Sequence, residues 1–280
     1  MRDYQFNLQK LYDGGIPVES RAGSTREWLG LKTQVVTGSL PRRPKMRREL
    51  GYMELCQLLT GIYEPDLISR VAPNVNMSLF GRSAVYGPRI MPRPTQFPDG
   101  LSKFYTSGRD QLSDVINELS EFPESRRAVV TISAPDEPLA DQPCISSMQF
   151  LLRGGRVNME AYARSWDLWF GAPHDLIVLS GILQVVASCV GLPCGYISVA
   201  TGSSHVYERS FPDLSKALEH NLISAWSFQM PNLGDLRLFR EWADTCAWET
   251  GWVAGAPKHI KENWATSAPR PIEVLAGIQE

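Results

Sequence analysis

Apolar positions recur at helical spacing in four stretches of the chain. Over 46–60, Met46, Leu50, Met53, Leu55, Leu58 and Leu59 predict one helix, and over 108–121, Leu112, Val115, Ile116 and Leu119 predict another. Residues 176–190 (LIVLSGILQVVASCV) are apolar on nearly every side, which predicts a buried helix. A last helix is expected over 234–249. Between 127 and 163 the pattern changes to that of strands. Ala128-Val129-Val130-Thr131-Ile132 is rich in β-branched residues, and the runs 146–152 and 157–162 flank Gly154-Gly155, a two-residue hairpin signal. A further strand is expected near 194–201. The first forty-odd residues are polar and predict loops and short strands, and the proline-rich stretch 87–100 predicts a loop. Strands and helices do not alternate regularly enough for a doubly wound sheet. The expectation is α+β, a mixed sheet packed with helices, in one catalytic domain spanning 1–280 without internal repeats.

A hydrophobic content of 43% in 280 residues is ample for a core. The net charge of −2 and pI of about 6.1 supply no global positive field, so no nucleic-acid polymer is expected as partner. A single mononucleotide remains possible, because a few converging arginines suffice to hold it. The N-terminus, Met1-Arg2-Asp3-Tyr4-Gln5, lacks the layout of a signal peptide, and no run was expected to reach the roughly 20 apolar residues of a membrane span. Cysteines 56, 144, 189, 194 and 246 are odd in number and scattered, which suits free thiols in a reducing cytoplasm. Cys189 and Cys194 have no adjacent His or second Cys pair, so no metal is expected.

The chemistry-bearing residues each admit two readings. Cys144 follows Pro143 at the start of a strand; it is either a structural thiol or a nucleophile, the latter if nearby cations lower its pKa. Arg126-Arg127 is either a solvated pair or a phosphate clamp, because guanidinium forks match oxyanions. Arg164-Ser165 adds a cation and a hydroxyl, and Arg21-Ala22-Gly23-Ser24 a third possible anion contact. His205 and Tyr207, two apart on a strand, share a face and either bond within the core or meet a sugar hydroxyl. Glu54, among apolar helix neighbours, is a helix-edge residue or a proton-transfer group. Asp175 stands just ahead of the apolar helix, as an N-cap, a recognition group, or both.

The set Pro143-Cys144, Arg164-Ser165-x-Asp167-x3-Gly171-x-Pro173-x-Asp175 and Gly202-x2-His205-x-Tyr207 resembles the thymidylate synthase family, as does Ser125-Arg126-Arg127 upstream. Glu54 and Arg21 look like further family positions. The likeness covers most of 20–215, is most specific over 125–211, and is loose over 216–280, chiefly at Pro271-Ile272-Glu273-Val274. It implies a homodimeric α+β enzyme moving a one-carbon unit from the co-substrate 5,10-methylenetetrahydrofolate to C5 of a pyrimidine nucleotide, without metal. By position, Cys144 would add to C6 of the base. Arg21, Arg164 and Ser165 would hold the phosphate, with Arg126 and Arg127 reaching in from the partner subunit. His205 and Tyr207 would meet the sugar 3′-hydroxyl, Glu54 would manage protons through water, and Asp167 would contact the folate ring.

Three positions depart from the methylating members. Ile145 follows the cysteine where they usually have His, Ser203 stands where they commonly have Asp, and Asp175 occupies the place of the Asn that recognises uracil. In these respects the chain resembles the deoxycytidylate hydroxymethylases. An amide can both donate to uracil O4 and accept from N3–H, whereas an ionised carboxylate only accepts. It suits the cytosine 4-amino group and repels uracil O4, a mismatch that can discriminate by up to about 10⁴-fold. The expected activity is therefore 5-hydroxymethylation of dCMP. Alternatives are a CMP 5-hydroxymethylase of nucleoside biosynthesis, a dCMP or dUMP C5-methylase on the same scaffold, and a silent nucleotide-binding relative.

Overall fold

The computed structural model describes residues 1–61, 86–91, 109–135 and 138–249. Its strands are β1 (Ile16–Ser20), β2 (Gly23–Leu29), β3 (Lys32–Val36), β4 (Leu40–Arg42), β5 (Val129–Thr131), β6 (Ile145–Arg153), β7 (Arg156–Asp167), β8 (Cys194–Tyr207) and β9 (Ser224–Trp226). A seven-stranded sheet runs β1-β2-β8-β7-β6-β5, with β3 also paired to β8. Both β2 and β3 line one edge of the long β8, β2 along its second half and β3 along its first. The β7–β8 pair is parallel and the other pairs are antiparallel, so the sheet is mixed. A separate two-stranded ribbon joins β4 to β9.

Helices α1 (Arg2–Gly14), α2 (Arg48–Thr60), α3 (Gly87–Ile90), α4 (Gln111–Glu121), α5 (Gly171–Cys189), α6 (Phe211–Glu219) and α7 (Leu236–Glu249) complete the described fold. The helix expected over 46–60 is α2, and that over 108–121 is α4, which starts at Gln111 where Asp110 caps it by accepting from Ser113 N–H. The hairpin forms as expected: Arg153 pairs with Arg156, and Gly154 and Gly155 both take positive φ, the backbone that a primed two-residue turn requires.

Several expectations are corrected. The polar N-terminus is not all loops and short strands. Tyr4, Leu8 and Leu11 form a sparse helical stripe, and α1 buries all three completely. Asn7 ties this helix to the sheet by donating to Lys32 O and Thr33 Oγ1, both at 2.9 Å. α6 was not anticipated either. Within 87–100, Gly87–Ile90 is helical, whereas 92–100 lies outside the described residues, as does Pro271-Ile272-Glu273-Val274. β7 and β8 run on past the expected ends, carrying Arg164-Ser165-Trp166-Asp167 and His205-Val206-Tyr207 on regular strand. The buried helix begins at Gly171 rather than 176. By length and a mean hydropathy of 1.4, α5 is long and apolar enough to cross a membrane, but that stretch is 72% buried inside the fold, as a core helix is.

The apolarity of α5 has a packing cause. α5 connects the parallel strands β7 and β8 and contacts both, while α2 crosses its other side. The crossing is close because glycines sit at the contact. A Cβ on Gly51 would lie 2.8 Å from Ile177 Cδ1, and one on Gly181 would run into the Leu55 side chain. Glu54 and Asp175 ride on this helix pair. Gly181→Ala is expected to push the two helices apart and cost about 1–3 kcal/mol of stability, read as a lower urea midpoint. An unchanged midpoint would show that the contact yields freely.

Candidate active site

Cys144 immediately precedes β6 and is half-buried. Arg164, on β7, grips the segment before it: its Nε donates to Pro143 O at 3.0 Å and its NH2 to Gln142 O at 2.8 Å. The Arg164 backbone N–H also donates to Cys144 O at 2.8 Å. The arginine expected to hold phosphate therefore also positions the nucleophile. Arg164 and Arg21, the latter in the turn between β1 and β2, both favour the thiolate electrostatically. Burial outweighs them, with Asp175 adding repulsion, so the thiol lies above its ordinary range rather than below it. The lowering by nearby cations, on which the nucleophile reading is conditional, is outweighed here by burial.

Asp175 sits in the second turn of α5, so it is not the N-cap. Instead its Oδ2 accepts from Trp166 Nε1 at 2.8 Å. Burial raises its pKa to about 7, against the lowering effect of that bond and with a further push from Asp167. Glu54 on α2 is raised to about 8 by burial and by the charge of Asp175. Both acids are pushed up together, and the charge of Asp175 also opposes ionisation of the Cys144 thiol.

Tyr86, directly before α3, completes this group and was missed in the sequence. Its hydroxyl accepts from Ile145 N–H at 3.2 Å, and Cys144, Asp175 and Glu54 all act on it electrostatically. No spacing signal pointed to it, because it stands at the edge of a proline-rich stretch with no motif of its own. Trp166 was visible inside Arg164-Ser165-Trp166-Asp167 but carries no titratable group that would have drawn attention.

On the other side of Cys144, Asp167 and His205 are register partners across the parallel β7–β8 ladder. Asp167 Oδ1 accepts from the backbone N–H groups of Trp169 and Phe170, both at 3.0 Å, organising the turn into α5. Burial raises this carboxyl, while His205 opposes the rise; burial lowers His205, while Asp167 and Glu27 support its charge. His205 and Tyr207 share a face as expected, their rings edge-to-face at 5.2 Å. Arg209 stacks on Tyr207 and donates to Ala22 O, tying β8 to the Arg21 turn. Ser165 is half-buried on β7 opposite Ser203. Arg43 stacks on Trp169 and Phe170, and Phe170 is 38% exposed beside Asp167.

Arg126 and Arg127 are not gathered into this group within the chain. Both are exposed ahead of β5, where Arg127 pairs with Glu118 at 2.8 Å. A cavity of about 540 Å³ lined by Arg89, Arg109, Gln111, Glu118 and Arg127 opens beside them, and Cys144 is not in its lining. All five cysteines are free thiols.

The described fold thus joins a mixed sheet to a thiol at the head of one strand, with Arg164, Arg21 and Asp175 acting on it electrostatically. The family model for thymidylate synthase matches residues 81–238, more than half of the chain. The chain therefore belongs to the thymidylate synthase family. It is similar to the thymidylate synthase of Equine herpesvirus 2 (strain 86/87), with 35% identity over 125 residues, 44% of this chain and 43% of that protein. It is also similar to the thymidylate synthase of Mycoplasma genitalium (strain ATCC 33530 / DSM 19775 / NCTC 10195 / G37), with 32% identity over 114 residues, 40% of each. The matched region spans only about two-fifths of these relatives' length.

The raised carboxyls have a consequence for stability. Unfolded Glu and Asp ionise near pH 4, whereas here Glu54 holds its proton to about 8 and Asp175 to about 7. Folding then takes up protons between those limits, so stability is greatest at the acid end and is lost as pH rises toward the folded values. Glu54→Gln is expected to lose less stability than wild type between about pH 5 and 8 in urea titrations. Equal losses would mean that Glu54 carries no retained proton.

Proposed function

We propose that the protein transfers a one-carbon unit from 5,10-methylenetetrahydrofolate to C5 of dCMP and adds water, giving 5-hydroxymethyl-dCMP. The observation that carries this reading is the Asp175 carboxyl, with one oxygen engaged by Trp166 and its charge felt by Cys144 and Glu54. When ionised, that carboxyl can only accept, which favours the amino-bearing base. Family membership supports the one-carbon chemistry.

The residues divide the work as follows. The Cys144 sulfur, once deprotonated, bonds to C6 and saturates the 5,6 double bond, which makes C5 nucleophilic. The folate co-substrate supplies the carbon that C5 takes up. Loss of the C5 proton and release of the carrier leave an exocyclic methylene on the pyrimidine. Water adds to it, and expulsion of the Cys144 thiolate restores the ring double bond. Glu54, protonated near neutral pH, moves protons at the base edge through water. Arg21, Arg164 and Ser165 hold the phosphate, His205 and Tyr207 meet the sugar hydroxyl, and Asp167 with the exposed Phe170 face receives the folate ring.

A homodimer is part of the reading. Arg126 and Arg127 are exposed on a segment that would reach a second subunit's phosphate. Val36, Val129 and Tyr162 are 47%, 40% and 46% exposed on sheet strands, apolar surface that a second copy would cover.

Tritium release from [5-³H]dCMP, CMP and dUMP, with and without methylenetetrahydrofolate, tests the reading. Folate-dependent exchange strongest on dCMP is expected, with no turnover after Cys144→Ala. Asp175→Asn is expected to shift preference toward dUMP, by up to about 10⁴-fold in the ratio. Stoichiometric dihydrofolate among the products would turn the assignment to methylation. Unaltered turnover in Cys144→Ala would end it.

A further inference from the structure

Trp166 is 2% exposed in the middle of the sheet, opposite Ser204 in the β7–β8 ladder, yet its one polar atom points at Asp175. An indole N–H can only donate. While the 2.8 Å bond stands, Asp175 Oδ2 is held as an acceptor and cannot carry the carboxyl proton toward the indole. The other groups acting with this carboxyl are acids: Glu54 from α2, Tyr86 ahead of α3, Cys144 ahead of β6 and Asp167 from β7. A neutral donor locked in the core is thus set among groups that would all favour a protonated, rotating carboxyl.

We propose that Trp166 is a specificity-setting positioning residue, whose indole N–H turns Asp175 Oδ2 into the protein and so presents Oδ1, as an acceptor, to the 4-amino group of the pyrimidine. The inference rests on the cytosine-nucleotide reading above. Trp166 does not touch the base; it acts through Asp175. Without the donor, the carboxyl can rotate and take a proton on either oxygen. A protonated carboxyl offers O–H to uracil O4, so selection between the bases weakens. The opposing groups about Asp175 remain unchanged, so removal of the indole N–H shifts its ionisation upward.

Trp166→Phe deletes the N–H and keeps most of the ring. In the full chain, the ratio of kcat/KM for dCMP over dUMP is expected to fall about tenfold, the effect of one lost hydrogen bond to a charged group. The acid limb of the dCMP pH profile should move to higher pH. In an Asp175→Asn background the same substitution should leave the ratio unchanged, as coupling through one residue demands. A purely structural role would lower turnover on both bases alike, with the pH limb in place. Wild-type enzyme that prefers dUMP would overturn the cytosine reading. Wild-type enzyme that prefers dCMP, with an unshifted ratio and pH limb in Trp166→Phe, would overturn the Trp166 role alone. Should Trp166→Phe not fold, ¹⁵N-indole labelling of the wild type decides: one of the eight indole N–H resonances should titrate with a carboxyl and stop doing so in Asp175→Asn. Absence of any such resonance would refute the bond's role.

Discussion

The close crossing of α2 and α5 governs this site. With Gly51 against Ile177 and Gly181 against Leu55, the helices approach nearer than side chains at those positions would permit. Glu54 is thereby held where it feels the charge of Asp175, and burial opposes the ionisation of both. Two carboxyls in such a place do not both ionise readily. The apolar bulk of α5, which alone would pass for a membrane span, serves to bring Asp175 to the sheet.

The sheet supplies the other half. Because β7 and β8 are parallel and in register, Arg164 to Asp167 and Ser203 to Tyr207 emerge side by side at the carboxyl ends of neighbouring strands. Cys144 enters from the head of β6, held by Arg164 through two carbonyls. Cys144, Arg164 and the His205–Tyr207 pair come from separate parts of the chain but share one sheet end. Burial makes the thiol reluctant to ionise, against the pull of Arg164 and Arg21.

Polar neighbours that carry no formal charge decide much of the chemistry. The Trp166 indole orients a carboxylate, the Tyr86 hydroxyl bonds to the backbone beside the nucleophile, and the N–H groups of Trp169 and Phe170 fix Asp167. Such groups leave little trace in a linear pattern, because their effect depends on direction and distance rather than residue type. The same holds for Arg43, which reads as one cation in a basic loop yet lies 8% exposed against two aromatic rings.

The sequence by itself determined the fold class, the helices α2, α4, α5 and α7, and the Gly154-Gly155 hairpin. Periodicity, turn chemistry and motif spacing are local properties, legible wherever burial follows a regular period. α1 escaped notice because only Tyr4, Leu8 and Leu11 mark its buried face within a polar stretch. Tertiary structure decided what local pattern cannot encode. It set the direction of each pKa shift, since burial overrode the arginines at Cys144. It assigned Asp175 to Trp166 rather than to a helix cap, because the helix starts a turn earlier and the indole arrives from another strand. Electrostatic environment and hydrogen-bond direction arise from groups distant in the chain, and they exist only once those groups are packed.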